Sequence, residues 1–112
     1  FSNNKLTDHV VKPKLGITLG EHSRMIYNQY TIRVKNRADF QQHLSDYLIG
    51  NVVYYPVPLH IQECFKSLGY QLGDCPVAEQ AAQEVVSLPI YPELTESQRQ
   101  YVADVVNLFF DK

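Results

Sequence analysis

Residues 25–34, MIYNQYTIRV, decide the fold. Ile26, Tyr30, Ile32 and Val34 alternate with Tyr27, Gln29, Thr31 and Arg33, which is the period-two pattern of a half-buried strand. The period then changes. Over 37–48 the apolar residues Phe40, Leu44, Tyr47 and Leu48 recur at helical spacing, with Asn36 as the expected N-cap and Asp39 placed to favour the positive end of the helix dipole. Gly50 supplies a stop that tolerates the left-handed conformation.

Working outward, residues 8–12 read as a short strand ended by Pro13, and 16–23 as a connecting loop. Residues 51–55 predict a second short strand closed by Pro56 and Pro58, and 59–68 a short helix. A further helix begins near Pro76, whose missing N–H costs nothing at a first helical position. Its face is Val77, Ala81 and Val85, flanked by Ala78, Ala82 and Val86. Residues 87–90 predict a short edge strand. The last helix opens on Thr95-Glu96-Ser97-Gln98, a capping box, and carries the stripe Val102, Val105, Val106 and Phe109. Strands interleaved with helices predict an α+β fold: a small, mostly antiparallel sheet with helices packed on one face. Residues 1–24 read as an N-terminal connecting segment with the first short strand, and 25–112 as the α+β domain.

Composition narrows the function. The 112 residues suit one domain and can bury roughly two-thirds of the unfolded surface, a core that needs no disulfide or metal. The formal charge of −2, with Lys and Arg dispersed, lacks the basic footprint of a nucleic-acid binder. No apolar run has the length of a membrane span. Cys64 and Cys75 form neither a CxxC pair nor a disulfide framework, so a reduced, cytoplasmic protein is the simplest expectation. The chain opens on Phe1-Ser2-Asn3-Asn4-Lys5 rather than on Met, which suggests a segment of a longer chain.

The common catalytic motifs are missing, so no catalytic and no metal residue is assigned. His60 and Cys64, four apart, would share a helical face. Two ligands do not make a metal site, and a packed Cys beside a solvated His is the expected arrangement. His9, His22 and His43 read as surface or loop histidines, and Glu79, Glu84, Glu93 and Glu96 as capping or solubilising groups. The unusual stretch is Tyr54-Tyr55-Pro56-Val57-Pro58-Leu59-His60. Adjacent tyrosines at a strand end would point to opposite faces. Two prolines hold the next backbone extended, so phenol and imidazole groups are presented at low entropic cost. The alternative is structural: one Tyr in the core, one partly exposed, and His60 capping the short helix.

Several blocks resemble the DegT/DnrJ/EryC1/StrS aminotransferases in order along the chain. Tyr30-Thr31-Ile32-Arg33-Val34-Lys35-Asn36-Arg37 is similar to their strand-to-helix segment, and residues 54–62 to their HYPxPLHxQ loop. Leu68-Gly69-Tyr70 with 73–79 resembles LGY…GDFPVAE, and 87–95 resembles SLPIYPELT. The resemblance implies the C-terminal small domain of a fold type I enzyme that uses pyridoxal 5'-phosphate (PLP) to aminate a nucleotide-linked keto sugar, usually as a homodimer. It implies that Tyr54, Tyr55 and His60, with Asn28 on the strand, wall part of the sugar-nucleotide pocket. Tyr54 stands where many members carry His; a phenol can donate a hydrogen bond to sugar or phosphate oxygen but not as a cation. PLP chemistry needs a Schiff-base lysine, an acid at the pyridinium and phosphate donors. The six lysines here lie at termini, beside turns or on polar faces, and the family's lysine belongs to the preceding large domain. The expectation is a segment that binds no cofactor and does not catalyse by itself. A free-standing regulatory or protein-interaction domain is the alternative.

Overall fold

Alternating side chains can bury one sheet face only if neighbouring strands keep register, and three strands do so in the computed structural model, which describes residues 9–14 and 20–111. β2 (Tyr30–Val34) lies between β1 (Val10–Val11) and β3 (Val85–Leu88), antiparallel to both. The register pairs Val34 with Val10, Ile32 with Val86 and Tyr30 with Leu88, so these residues share one face. Thr31 opposes Ser87 on the other face, their hydroxyl oxygens 2.7 Å apart.

Helices α1 (Arg37–Asp46) and α3 (Glu96–Phe110) cover the apolar face. Ile32, Val34, Phe40, Leu44, Val86 and Val106 are its fully buried centre. α3 starts as its sequence predicts: Thr95 Oγ1 accepts from the Gln98 N–H, and Gln98 Oε1 accepts from the Thr95 N–H. α2 (Pro76–Glu84) runs straight into β3 with no residue between them. The Arg37 guanidinium spans this joint, donating to the carbonyls of Ala82 and Val85. It satisfies acceptors that a helix C-terminus would otherwise leave open.

Several expectations need correction. The 25–34 strand is paired only over its second half, because Tyr27 has φ +48°, a left-handed backbone that cannot continue a ladder. The edge strand expected at 87–90 is β3 at Val85–Leu88, at the edge of the three-stranded sheet as expected but starting two residues earlier. Its β-branched start extends the strand backwards, and Pro89 ends it by offering no N–H. On its far side, Val52 alone pairs with Ser87. The strand expected over 51–55 is thus one bridge, since the chain then turns to Pro56 and Pro58. The 59–68 helix is two 3₁₀ turns, Leu59–Ile61 and Glu63–Leu68, separated by extended Gln62. On α2 only Ala82 is buried and Val77 is exposed, because the helix meets the sheet by its last turn.

α1 departs at both ends. Asn36 occupies the N-cap position without a side-chain capping bond. The stop comes at Leu48, φ +59°, not at Gly50. The Ile49 N–H reaches the Leu44 carbonyl at 2.9 Å and the Leu48 N–H reaches Ser45 at 3.0 Å, a Schellman closure whose apolar pair, Leu44 and Ile49, is in the core. Leu48 itself is 93% exposed. His43 is no surface histidine: it is buried between α1 and α3, its Nε2–H donating to the Val105 carbonyl at 2.8 Å. It stands three residues after Phe40, on the stripe that faces α3.

Across the outer face, Arg33 Nε and Nη2 both reach Glu84 Oε2, at 3.0 and 2.8 Å. The Gln80 amide on Oε1 first, and then Arg33, hold the Glu84 carboxyl below the usual glutamate range against the opposing effect of burial. A depressed folded-state pKa means the unfolded chain takes up the proton first as pH falls. The stabilisation is therefore present above the ordinary glutamate range and lost below it. Glu84→Gln is expected to cost about 1 kcal/mol at neutral pH, with the difference vanishing at acid pH. Urea unfolding of both proteins at the two pH values checks this; a deficit that persists in acid contradicts it.

Candidate functional site

The Val52–Ser87 bridge decides which loops meet. Two backbone bonds, Val52 N–H to Ser87 O at 3.3 Å and Ser87 N–H to Val52 O at 2.7 Å, hold residues 50–54 beside the end of β3. The segment entering β2, at Asn28 and Gln29, comes to the same place. Between them lies a hollow of about 370 Å³ lined by Asn28, Gln29, Asn51, Val52, Tyr54 and the Ser87–Ile90 stretch. Two neighbouring hollows of about 410 and 390 Å³ share Pro89 with it and are floored by α3 through Val102. The first brings Tyr30 near Arg99 and Glu96, and burial with the nearby Tyr27 pushes the Tyr30 hydroxyl pKa up.

Of the four residues that sequence singles out, Asn28 and Tyr54 share the central hollow. Tyr55 stands beside Tyr54, ring centroids 5.7 Å apart and nearly perpendicular, an edge-to-face pair. The peptide joining them is cis. With their rings in contact, the two side chains do not point to opposite faces; pairing ended at Val52, so no strand pleat governs them. Neither is core: Tyr54 is 41% and Tyr55 69% exposed.

His60 does not line that hollow. Its side chain, only 9% exposed, turns to α2, with Nε2 3.8 Å from Glu79 Oε2 and its ring against Tyr70. Cys64 is exposed, so the expected packed Cys beside a solvated His is reversed, because the two sit on separate 3₁₀ turns. Among the described residues no three His, Cys, Asp or Glu converge as metal ligands, and no helix is long and apolar enough to cross a membrane. Sequence reasoning did not find Gln29, Asn51, Pro89 or Ile90 as lining residues. The one available signal was Leu88-Pro89, a strand stop where backbone leaves the sheet.

PLP does not fit the residues present. None of the described lysines lines any of the three hollows, so no described amine is placed to form its Schiff base.

Comparison with known proteins agrees with this architecture. Residues 4–107 match the model of the DegT/DnrJ/EryC1/StrS aminotransferase family. The chain is 48% identical over 85 residues to the pleiotropic regulatory protein of Geobacillus stearothermophilus, covering 76% of this chain and 23% of that one. It is 30% identical over 103 residues to the dTDP-3-amino-3,6-dideoxy-alpha-D-galactopyranose transaminase of Aneurinibacillus thermoaerophilus, covering 91% and 28%. The solved structure of DesV from S. venezuelae, in complex with a ketimine intermediate, superimposes with a TM-score of 0.80 at 26% identity, over 96% of this chain and 29% of that one. The chain thus spans about a quarter of the length of these curated relatives. Its three-stranded antiparallel sheet with covering helices is that of a domain from a fold type I PLP aminotransferase, and the chain belongs to the DegT/DnrJ/EryC1/StrS aminotransferase family.

Proposed function

We propose that this chain walls one side of the substrate pocket in a cytoplasmic, PLP-dependent aminotransferase that aminates a nucleotide-linked keto sugar. The observation that carries the reading is the meeting of Asn28 and Tyr54 on one open hollow, with Tyr55 exposed beside them. A sugar nucleotide is a polyol joined to phosphates, and needs hydrogen-bond donors along a partly apolar wall. The two phenols and the Asn28 amide offer donors, while Val52, Pro89 and Ile90 offer apolar surface. Pro56 and Pro58 limit the backbone freedom that binding would otherwise remove.

PLP, when bound, supplies the electron sink. In this reading its lysine and phosphate donors come from a large domain outside these residues, and two copies of the complete protein complete the pocket. The present residues bind and orient the sugar and exclude water from one side. The regulatory alternative draws support from names such as that of the Geobacillus protein, of which this chain spans 23%.

Tyr55→Phe in the complete protein is expected to lower kcat/KM for the nucleotide sugar about tenfold, the loss of one hydrogen bond to substrate, with PLP absorbance unchanged. Steady-state kinetics beside a cofactor spectrum measure both. Wild-type kinetics in Tyr55→Phe and Tyr54→Phe alike would remove the two phenols from the site.

A further inference from the structure

Among the described residues, two of the fully buried side-chain atoms without a hydrogen-bond partner face each other: His60 Nε2 and Glu79 Oε2, 3.8 Å apart. This is ion-pair distance, and a closure of about 1 Å would make it a hydrogen bond. The atoms are complementary, an imidazole nitrogen that can carry a proton and a carboxylate oxygen that accepts one. Neither has another partner to satisfy it, and a buried carboxylate is costly unless it is used.

The rest of Glu79 is already engaged. Its Oε1 accepts from the Gly73 N–H at 2.6 Å, in a turn where Gly73 holds φ +97°. One carboxylate on the first turn of α2 thus touches the Gly73 turn and the end of the tyrosine loop together. That loop, residues 53–59, is pinned at its start by the Val52–Ser87 bridge. Its far end is His60. Pro56 and Pro58 stiffen the middle, so its placement depends on its two ends.

We propose that Glu79 is a positioning residue, which through His60 holds the segment carrying Tyr54 and Tyr55 against α2. Its effect on substrate binding rests on the pocket-wall reading above, whereas its hold on the loop does not.

Amide hydrogen exchange and kinetics on the complete protein separate the two. In Glu79→Ala, protected amides within residues 53–62 are expected to exchange about tenfold faster, while those of α3 and of the β2–β3 ladder keep wild-type rates. Glu79→Gln keeps an acceptor for Gly73 but loses the charge opposite His60. It gives a smaller change in the same place, and serves if the alanine variant does not fold. In Glu79→Ala, KM for the nucleotide sugar rises about tenfold with kcat within about twofold, and adding Tyr55→Phe yields less than the product of the single effects. Unchanged exchange over 53–62 in both variants, or a rise spread evenly over the domain, overturns the positioning role. Faster exchange there, with wild-type KM in the Glu79 variants and in Tyr55→Phe alike, supports the hold on the loop and removes the pocket-wall reading.

Discussion

Phe40→Ala is expected to lower the unfolding free energy by about 3–5 kcal/mol. The ring is fully buried and is the largest side chain at the centre of the core. It meets Phe109 edge-on at 5.3 Å and lies over Phe110 at 5.7 Å, so it joins α1 to α3. Truncation removes the transfer free energy of the ring and leaves a void that the surrounding strands and helices fill only in part. A domain of this length holds about 6–17 kcal/mol in all, so the loss is a large share of the total. Urea unfolding should show a lower midpoint at an unchanged slope. A loss below about 1 kcal/mol would mean that α1 and α3 do not close over this ring.

Ile32→Ala is expected to cost about 2–5 kcal/mol, by a different route. Ile32 is the middle residue of β2 and lies directly opposite Val86 of β3, with both side chains fully buried. It packs across the ladder as well as against the helices. Because the two side chains would share one void, Ile32→Ala with Val86→Ala should depart from the sum of the single losses by about 0.5–3 kcal/mol. Simple additivity would show that the pair does not pack as a unit. The variant also bears on the site, since β2 and β3 set the relative positions of Asn28 and Ile90. Its binding loss should follow its unfolding midpoint.

How far these features were legible depends on local punctuation. The start of α3 was readable because the Thr95–Gln98 box is a local device whose partners lie three residues apart. The start of α2 was readable at Pro76 for a similar reason. β3 was misplaced because Ala78, Ala82 and Val86 keep helical spacing across the point where the helix ends, and no Gly or Pro marks the change. His43 was misread because a polar residue on an apolar stripe is buried only if a partner waits opposite, here the Val105 carbonyl sixty-two positions on. The hollow itself was not legible. Asn28 and Tyr54 were each noticeable by type, but their proximity follows from the register of β2 on β3 and from a single bridge at Val52.

The direct passage of α2 into β3 makes that seam a fixed-length coupling. An extra residue placed after Glu84 and taken up by β3 would turn Val86 outward and Ser87 inward, since side chains alternate along a strand. The core would then have to accept a hydroxyl where it now holds a branched hydrocarbon. Length changes in this domain therefore have room only in its turns, such as residues 69–75, and the seam works as a ruler that keeps Glu79 and Ile90 at a constant distance along the chain.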